Sequence, residues 1–330
     1  MDGVARHILI IQTAFIGDVV LATAMIESLA KKVPNQTIDI LVRKGNESLL
    51  ENNPHINRVL IWDKKQHKYK NLLSLIKATR QTRYDAVINL QRFAATGMIA
   101  AFSNAKLKVG FKENPFSRFY SRAISHDTES GIHEVERNQQ LISDFAGKKA
   151  SKPRLYPSER DFREVEAFKK RKYICIAPTS VWFTKQFPAH KWIEFIASVP
   201  NEIAVYLLGG PDDFESCEAI VTRIKDKDLI NLSGKLSFLQ SAALMKDAVM
   251  NYVNDSAPLH IASAMNAPTT AVFCSTIPIF GFGPLADKST IVETPINLDC
   301  RPCGLHGKKA CPKGDFECAE SIDLKWFIGL

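Results

Sequence analysis

The sequence predicts an α/β protein made of two doubly wound, Rossmann-like domains facing across a cleft. Short apolar runs alternate with amphipathic segments along the chain, the pattern of parallel strands joined by crossover helices. The alternation stops and restarts across "GKKASKPRLYPSER" (147–160), a Lys/Pro/Ser-rich stretch that reads as a linker. A chain of 330 residues is also too long for one ordinary hydrophobic core. The expected domains are residues 1–155 and 156–330, with a last helix at about 319–330 that packs back on the first domain.

In order, "HILII" (7–11) reads as the first buried strand, followed by a helix from Asp18 to about Lys32. "TIDILV" (37–42) and "RVLIW" (58–62) are strands, then come a helix near 69–82, the strand "AVINL" (86–90) and a helix near 93–102. "HEVERNQQLISDFAG" (133–147) has apolar residues at helical spacing and a glycine to end it. In the second half, strands are expected at 173–178, 203–210, 229–232, 248–253 and 268–273. Helices are expected at 189–199, 212–225 and 236–247, and one opening within "NDSAPLHIASAMNAP" (254–268).

A content of 45% hydrophobic and 24% charged residues is that of a globular enzyme. No apolar run approaches the roughly 18 residues of a membrane span, and "MDGVARHILIIQTAFIGD" is too short in its apolar part for a signal segment. The expected location is cytoplasmic. The net charge of +8 sits in the first half: residues 1–150 hold 22 Lys and Arg against 14 Asp and Glu, and the remainder is balanced at 21 of each. Residues 58–122 alone carry 14 basic and 3 acidic side chains. Such a block either meets an anionic partner or covers a solvated surface. No nucleic-acid motif accompanies it, so nucleic acid is not an expected partner.

In doubly wound sheets, ligands sit at the carboxyl ends of strands. Four such corners carry suitable groups. In "QTAFIGDVVLATAMIESL", Gly17 permits a tight turn and Asp18 opens a helix. In "IAPTSVWFTKQFPAHKW", Thr179, Ser180 and Thr184 offer hydroxyls and Lys185 a compact charge, a set suited to phosphate oxygens. In "LLGGPDDFE", Gly209 and Gly210 allow close backbone approach, and Asp212 or Asp213 would accept from ribose hydroxyls. In "NDSAPLH", Asp255, Ser256, Ala257, Pro258 and His260 surround a helix start whose N–H groups form either a plain cap or an anion site. Taken singly, each corner also reads as an ordinary capped turn. Neither G-x-G-x-x-G nor G-x-x-x-x-G-K-[ST] is present, which argues against a dinucleotide fingerprint and a P-loop.

Read in order, "ILIIQTAFIGDVVLATAMIESL", "HEVERN", "IAPTSVWFTKQFPAHKW", "LLGGPDD", "NLSGKLSFLQSAALMKDA" and "YVNDSAPLHIASAMNAPTTAVF" resemble glycosyltransferase family 9, the ADP-heptose:lipopolysaccharide heptosyltransferases. The resemblance runs from about residue 7 to the C-terminus. It implies a GT-B fold with an N-terminal acceptor domain and a C-terminal nucleotide-sugar domain, and inverting transfer from ADP-heptose without a metal or other cofactor. By position it implies Asp18 as general base, Lys185 with Thr179 and Ser180 near the donor phosphates, Asp213 beside Gly210 at the ribose, and Asp255, Ser256, Ala257 and His260 at the diphosphate. The family more often has Gly where Thr179 and Ala257 stand, and Gly-Pro-Thr where Cys274, Ser275 and Thr276 stand.

The implied acceptor, an anionic lipopolysaccharide inner core, would meet the basic block through residues such as Arg58, Lys64, Lys65, Arg92, Arg118 and Arg122, with peripheral contact at the cytoplasmic face of the inner membrane. Competing readings are the same fold with another nucleotide sugar or surface-glycan acceptor, a nucleotide-sugar epimerase or hydrolase, and a non-catalytic nucleotide-binding module. The last two need no basic acceptor surface, and the last needs no Asp18.

Four of seven cysteines cluster as Cys300, Cys303, Cys311 and Cys318. Close cysteine pairs begin structural zinc sites, but the second half of this cluster lacks one. No metal is expected at the reaction centre, and the four thiols are candidates only for a structural site.

Overall fold

The computed structural model describes residues 6–327. The chain divides into two compact units at the Tyr156–Pro157 junction. Among the described residues, the first unit holds the strands β1 (His7–Ile11), β2 (Thr37–Arg43), β3 (Ile56–Trp62), β4 (Ala86–Asn89), β5 (Leu107–Phe111) and β6 (Arg122–Ile124). They form one parallel sheet in the order β3-β2-β1-β4-β5-β6. The second unit holds β7 (Tyr173–Ala177), β8 (Ala204–Leu207), β9 (Leu229–Asn231), β10 (Met250–Asn254), β11 (Thr269–Phe273) and β12 (Ser289–Glu293). Its sheet runs β12-β11-β10-β7-β8-β9, again all parallel. Each unit therefore has the same doubly wound order, with the chain reversing direction between β1 and β4 in one and between β7 and β10 in the other. The crevice at such a reversal is where these sheets bind ligands.

The apolar runs become the inner strands because a parallel strand covered by helices on both faces is buried on both sides. Ile8, Leu9, Ile10 and Ile11 of β1 and Ile174 and Ile176 of β7 are all inaccessible. Three strands lack that run in the sequence. β6 and β12 are sheet edges, half-exposed and polar, and β5 is interrupted by Lys108 and Gly110. A side chain at Gly110 would lie 2.5 Å from the Tyr120 ring and 3.0 Å from Asn89 O, so the approach of this loop demands glycine.

The helices differ from expectation mostly at their ends. Helix α1 spans Ile16–Lys32, so Asp18 lies inside the first turn. The segment 133–147 is two helices, α4 (Glu134–Gln140) and α5 (Ser143–Ala146), with Gly147 at φ +80 after them. Helices α2 (Lys68–Gln81) and α3 (Ala94–Ala101) lie in the first unit and pack on each other. In the second unit α6 (Glu159–Val165) begins at the Ser158 cap, within the tail of the supposed linker. The preceding residues are not loose either. Ser151 N–H donates to Ser28 Oγ (2.9 Å), Arg154 N–H to Thr23 Oγ1 (2.9 Å) and Tyr156 O–H to Glu27 Oε1 (2.6 Å), which ties the segment along α1.

Beyond α6 come α7 (Ala189–Ser198), α8 (Phe214–Val221), α9 (Phe238–Asp247) and α10 (Ala257–Ala264). The helix expected over 319–330 is replaced by a single turn, α11 (Glu317–Glu320), and a 3-10 turn at Leu324–Trp326. Asp323 caps the start of the second by accepting from Lys325 N–H. Ala319, Ile322 and Phe327 enter the core of the second unit, with Phe327 stacked 5.7 Å from Tyr252, and residues 328–330 lie outside the described part.

Candidate functional site

In the first unit the reversal between β1 and β4 brings Gln12 and Gln91 together through a hydrogen bond between their side chains. Asp18 stands beside this corner, in the first turn of α1, where Oδ2 accepts from Phe15 N–H at 3.2 Å. It keeps partial solvent access. Burial, with the negative charge of Glu134 adding to it, raises the Asp18 pKa from 3.8 to about 6 against the pull of Arg92 and nearby N–H groups. A carboxyl group with a pKa near neutrality in an accessible corner is suited to general-base work.

Glu134 comes from α4, which packs along α1. Burial would raise its own pKa, but His126 (Nε2 at 3.0 Å) and Arg137 (Nε at 2.9 Å) hold it below the ordinary carboxylate range. The "HEVERN" segment thus places a fixed negative charge behind Asp18. The motif is visible in the sequence but this role is not, because the charge of one helix on another depends on packing.

The basic block divides by use. Arg58 donates to buried Asp39 (2.9 Å) and to Tyr84 O–H (3.1 Å), within a network that also takes in Asn57 and His7. Arg122 is held by Asp144, Gln140 O and Ser143. These two, expected at an acceptor, are spent on the fold. Lys64 instead reaches the β1–α1 corner, donating to Thr13 O (2.7 Å) and Oγ1 (3.1 Å), with Nζ 4.7 Å from the Trp62 ring centre. Burial, with Arg43 and Lys68 nearby, lowers its pKa to about 8. Arg92 is exposed and its charge acts on Asp18, Arg118 lies over the Phe119 ring, and Lys65 is exposed.

In the second unit the reversal between β7 and β10 gathers most of the expected donor residues. Lys185 ends a 3-10 turn at Phe183–Lys185, and its Nζ lies 2.7 Å from Asp255 Oδ2. The same oxygen accepts from Thr276 Oγ1 at 2.6 Å. Asn254, buried at the end of β10, accepts from Phe187 N–H (3.0 Å) and donates to Ala177 O and Thr179 O (3.4 Å each), locking the two strand ends together. Thr179 and Ser180 are half-buried at the rim, with Ser180 O held by Gln186.

Ser256 begins α10 in an extended conformation and makes no side-chain cap; its hydroxyl donates instead to Asn254 O at 3.4 Å. Pro258 has no N–H and Leu259 N–H is bonded to Ser256 O (3.1 Å), which puts the open donors at Ser256 and Ala257. His260 is buried, its ring 6.5 Å from Phe282.

The Gly209–Gly210 corner is organised by Asp213, whose Oδ2 accepts from Gly210 N–H at 2.7 Å. Gly234 N–H donates to Gly209 O (3.0 Å), so the ends of β8 and β9 close around Asp213 and Ser233.

One contributor escaped the sequence reading. The loop between Cys303 and Cys311 lies over Lys185. Thr184 N–H and Lys308 O pair at 3.1 Å, Lys308 N–H reaches Thr184 Oγ1 (2.8 Å), and Cys303 N–H reaches Ser275 O (2.8 Å). Gly307, at φ +78, leaves only 3.0 Å between an added Cβ and Lys185 Cγ. Arg301 secures the adjoining strand end, donating to Cys274 O and Thr276 O. Burial raises the pKa of Cys303 and of Cys318, with the neighbouring cysteines adding to it. Among the described residues, though, no three His, Cys, Asp or Glu side chains are placed to hold a metal ion.

No helix among the described residues is long and apolar enough to cross a membrane. The sequence profile of glycosyltransferase family 9 (heptosyltransferase) matches residues 72–311. Lipopolysaccharide heptosyltransferase 3 of Escherichia coli is 30% identical over 281 residues, 81% of this chain and 83% of that protein. The fold is similar to a family 9 glycosyl transferase from Veillonella parvula (TM-score 0.79, 22% identity, 88% of this chain and 86% of that one). It is also similar to the ADP-heptose lipopolysaccharide heptosyltransferase II of E. coli (TM-score 0.76, 21% identity, 90% and 95%). Two parallel six-stranded sheets with helices are thus the GT-B architecture of heptosyltransferases. The chain is a glycosyltransferase and belongs to glycosyltransferase family 9.

Proposed function

We propose that the protein transfers heptose from ADP-heptose to a hydroxyl of the lipopolysaccharide inner core, with inversion and without a metal. The observation that carries this reading is Asp18: a partly accessible carboxylate, raised to a pKa of about 6, in a chain whose relative is a lipopolysaccharide heptosyltransferase.

ADP is a good leaving group, so one carboxylate suffices where glycoside hydrolysis uses two. Asp18 takes the proton of the acceptor hydroxyl as that oxygen bonds to the anomeric carbon. The bond from that carbon to the ADP oxygen breaks on the opposite face, and its electrons leave with the diphosphate. The N–H groups of Ser256 and Ala257, the Ser256 hydroxyl and Lys185 would meet the growing charge, each such donor contributing about 3–4 kcal/mol in the transition state. Asp213 would hold the ribose beside Gly210, and Thr179 and Ser180 the phosphate rim.

Lys64 and Arg92, which border the Asp18 corner, would meet an anionic group of the acceptor. The lipid-borne acceptor would place the protein on the cytoplasmic face of the inner membrane.

A thermal-shift panel of ADP, UDP, GDP and dTDP, followed by transfer of heptose to a purified core acceptor with and without chelator, tests the reading. Stabilisation by ADP and chelator-resistant transfer are expected. Preference for UDP would overturn the donor, and hydrolysis or isomerisation without transfer would overturn the reaction.

A further inference from the structure

Helix α3 is largely buried, and the strip of it that reaches solvent is apolar. Its sequence "AATGMIAA" holds no charged residue, and Thr96 and Gly97 point inward. Ala94, Met98 and Phe102 follow one another at four-residue spacing and are exposed, half-buried and 44% exposed. A helix packed on a sheet normally turns charged residues to that side.

The apolar surface continues across the loop after β5. The Phe102 and Phe116 rings are 6.2 Å apart, and those of Phe116 and Phe119 are 6.0 Å apart, with Phe119 47% exposed. Arg118 lies 4.8 Å over the Phe119 ring.

This surface is held rigid. Asn114, buried beneath it, donates to Gln91 O (2.9 Å) and Phe93 O (3.0 Å) and accepts from Phe116 N–H (2.9 Å). A Cβ at Gly97 would sit 2.0 Å from Asn114 Oδ1, so helix and loop are clamped together. Rings kept in water by a fully bonded clamp are a docking surface rather than a frayed loop.

Cations outnumber acids around it, exposed Glu113 being the one acid between Asp85 and Asp127. No Asp or Glu occurs between Asp85 and Glu113, and Glu113 is bonded to Ser125 and to His126 N–H. Lys112 and Arg118 are exposed. Two copies meeting through this face would set Lys112 and Arg118 of each against those of the other, with only the already hydrogen-bonded Glu113 to answer them. Anionic headgroups supply the missing charge, and aromatic rings favour the boundary between headgroups and acyl chains.

We infer that the face of Met98, Phe102, Phe116 and Phe119, edged by Lys112 and Arg118, docks on an anionic phospholipid surface. It deepens the reading of a membrane-borne acceptor and rests on it for its purpose, so its test uses vesicles that contain no acceptor. The full chain is floated with phosphatidylglycerol/phosphatidylethanolamine vesicles and with phosphatidylcholine vesicles, at low and high salt. Binding is expected to the anionic vesicles and to weaken with salt. Phe102→Ser/Phe119→Ser should reduce it about tenfold or more, and Lys112→Glu, which exposes no new apolar surface, should reduce it as a variant with no burden on folding. Both variants should keep the ADP-induced thermal shift and transfer to a delipidated acceptor. Equal binding to phosphatidylcholine, binding unchanged in both variants, or a dimer in solution that Phe102→Ser/Phe119→Ser dissolves would overturn the inference. The proposed transfer reaction would stand or fall separately.

Discussion

Lys185 Nζ lies 2.7 Å from Asp255 Oδ2, an ion pair in which the side chains are 14% and 7% exposed. The two residues are 70 positions apart in the chain and meet because β7 and β10 are neighbours at the sheet's reversal. Asp255 thus fixes the Lys185 ammonium beside the open N–H groups of Ser256 and Ala257.

Removing one member of such a pair leaves the other charge buried and unanswered. Lys185→Ala should lose about 3–5 kcal/mol of stability by urea denaturation. Lys185→Ala/Asp255→Ala should lose well under the sum of the two single changes. ADP affinity by calorimetry should stay low in the double variant, since stability is then restored without the phosphate-facing charge. Recovered ADP affinity would reduce Lys185 to a structural role.

Asp18 links pH, stability and rate. A pKa of about 6 in the folded chain against 3.8 unfolded means that the folded state holds the proton more tightly. Its contribution to stability is present below pH 4 and lost as pH rises through 6, a cost of about 3 kcal/mol at neutral pH. Asp18→Asn should therefore melt higher than the parent protein at pH 7.5, with the gap closing by about pH 4. It should also lose transfer activity by about 100-fold or more, while ADP still binds. In the parent protein the rate should climb with pH and level off above about 6. An Asn variant with near-normal turnover would remove Asp18 from the reaction.

Glu134 sets part of that pKa. Glu134→Gln removes a negative charge that opposes ionisation of Asp18, so the rising limb of the pH–rate profile should move to lower pH. A residue that only packed α4 on α1 would lower the melting temperature without moving this limb.

The Gly209–Gly210 corner, proposed to hold the ribose, offers a steric contrast between adjacent glycines. A Cβ at Gly209 would meet Asp213 Cβ at 2.8 Å and Ser233 Oγ at 3.1 Å, whereas one at Gly210 meets only Asp213 Oδ2 at 3.6 Å. Gly209→Ala should displace Asp213 and weaken ADP binding about tenfold, roughly 1.4 kcal/mol. Gly210→Ala should change it little. Equal effects, measured by calorimetry, would detach Asp213 from the nucleotide.

Most of the fold was legible because buried parallel strands must be apolar. "HILII", "AVINL", "YICIAP" and "AVMNYV" announced the four strands that flank the two reversals. β6 and β12 were not legible, since edge strands need no apolar run, and β5 was hidden by Lys108 and Gly110. The placement of candidate residues was legible where a short motif sits at a strand end, as with Lys185, Asp213 and Ser256. The Gly307 loop over Lys185 was not, because its spacing looked like a cysteine cluster and its function is contact across the fold.

By itself the sequence determined the two parallel α/β units, the strand-end corners and the family pattern, all of which follow from local periodicity and turn chemistry. Only the tertiary structure decided which charges are free to act. Arg58 and Lys64 look alike in the chain. One is spent on buried Asp39, and the other reaches the β1–α1 corner with its pKa lowered to about 8. Burial and ion pairing depend on what packs opposite a side chain, and residues far apart in sequence supply it: Asp255 for Lys185, and Glu134 for Asp18.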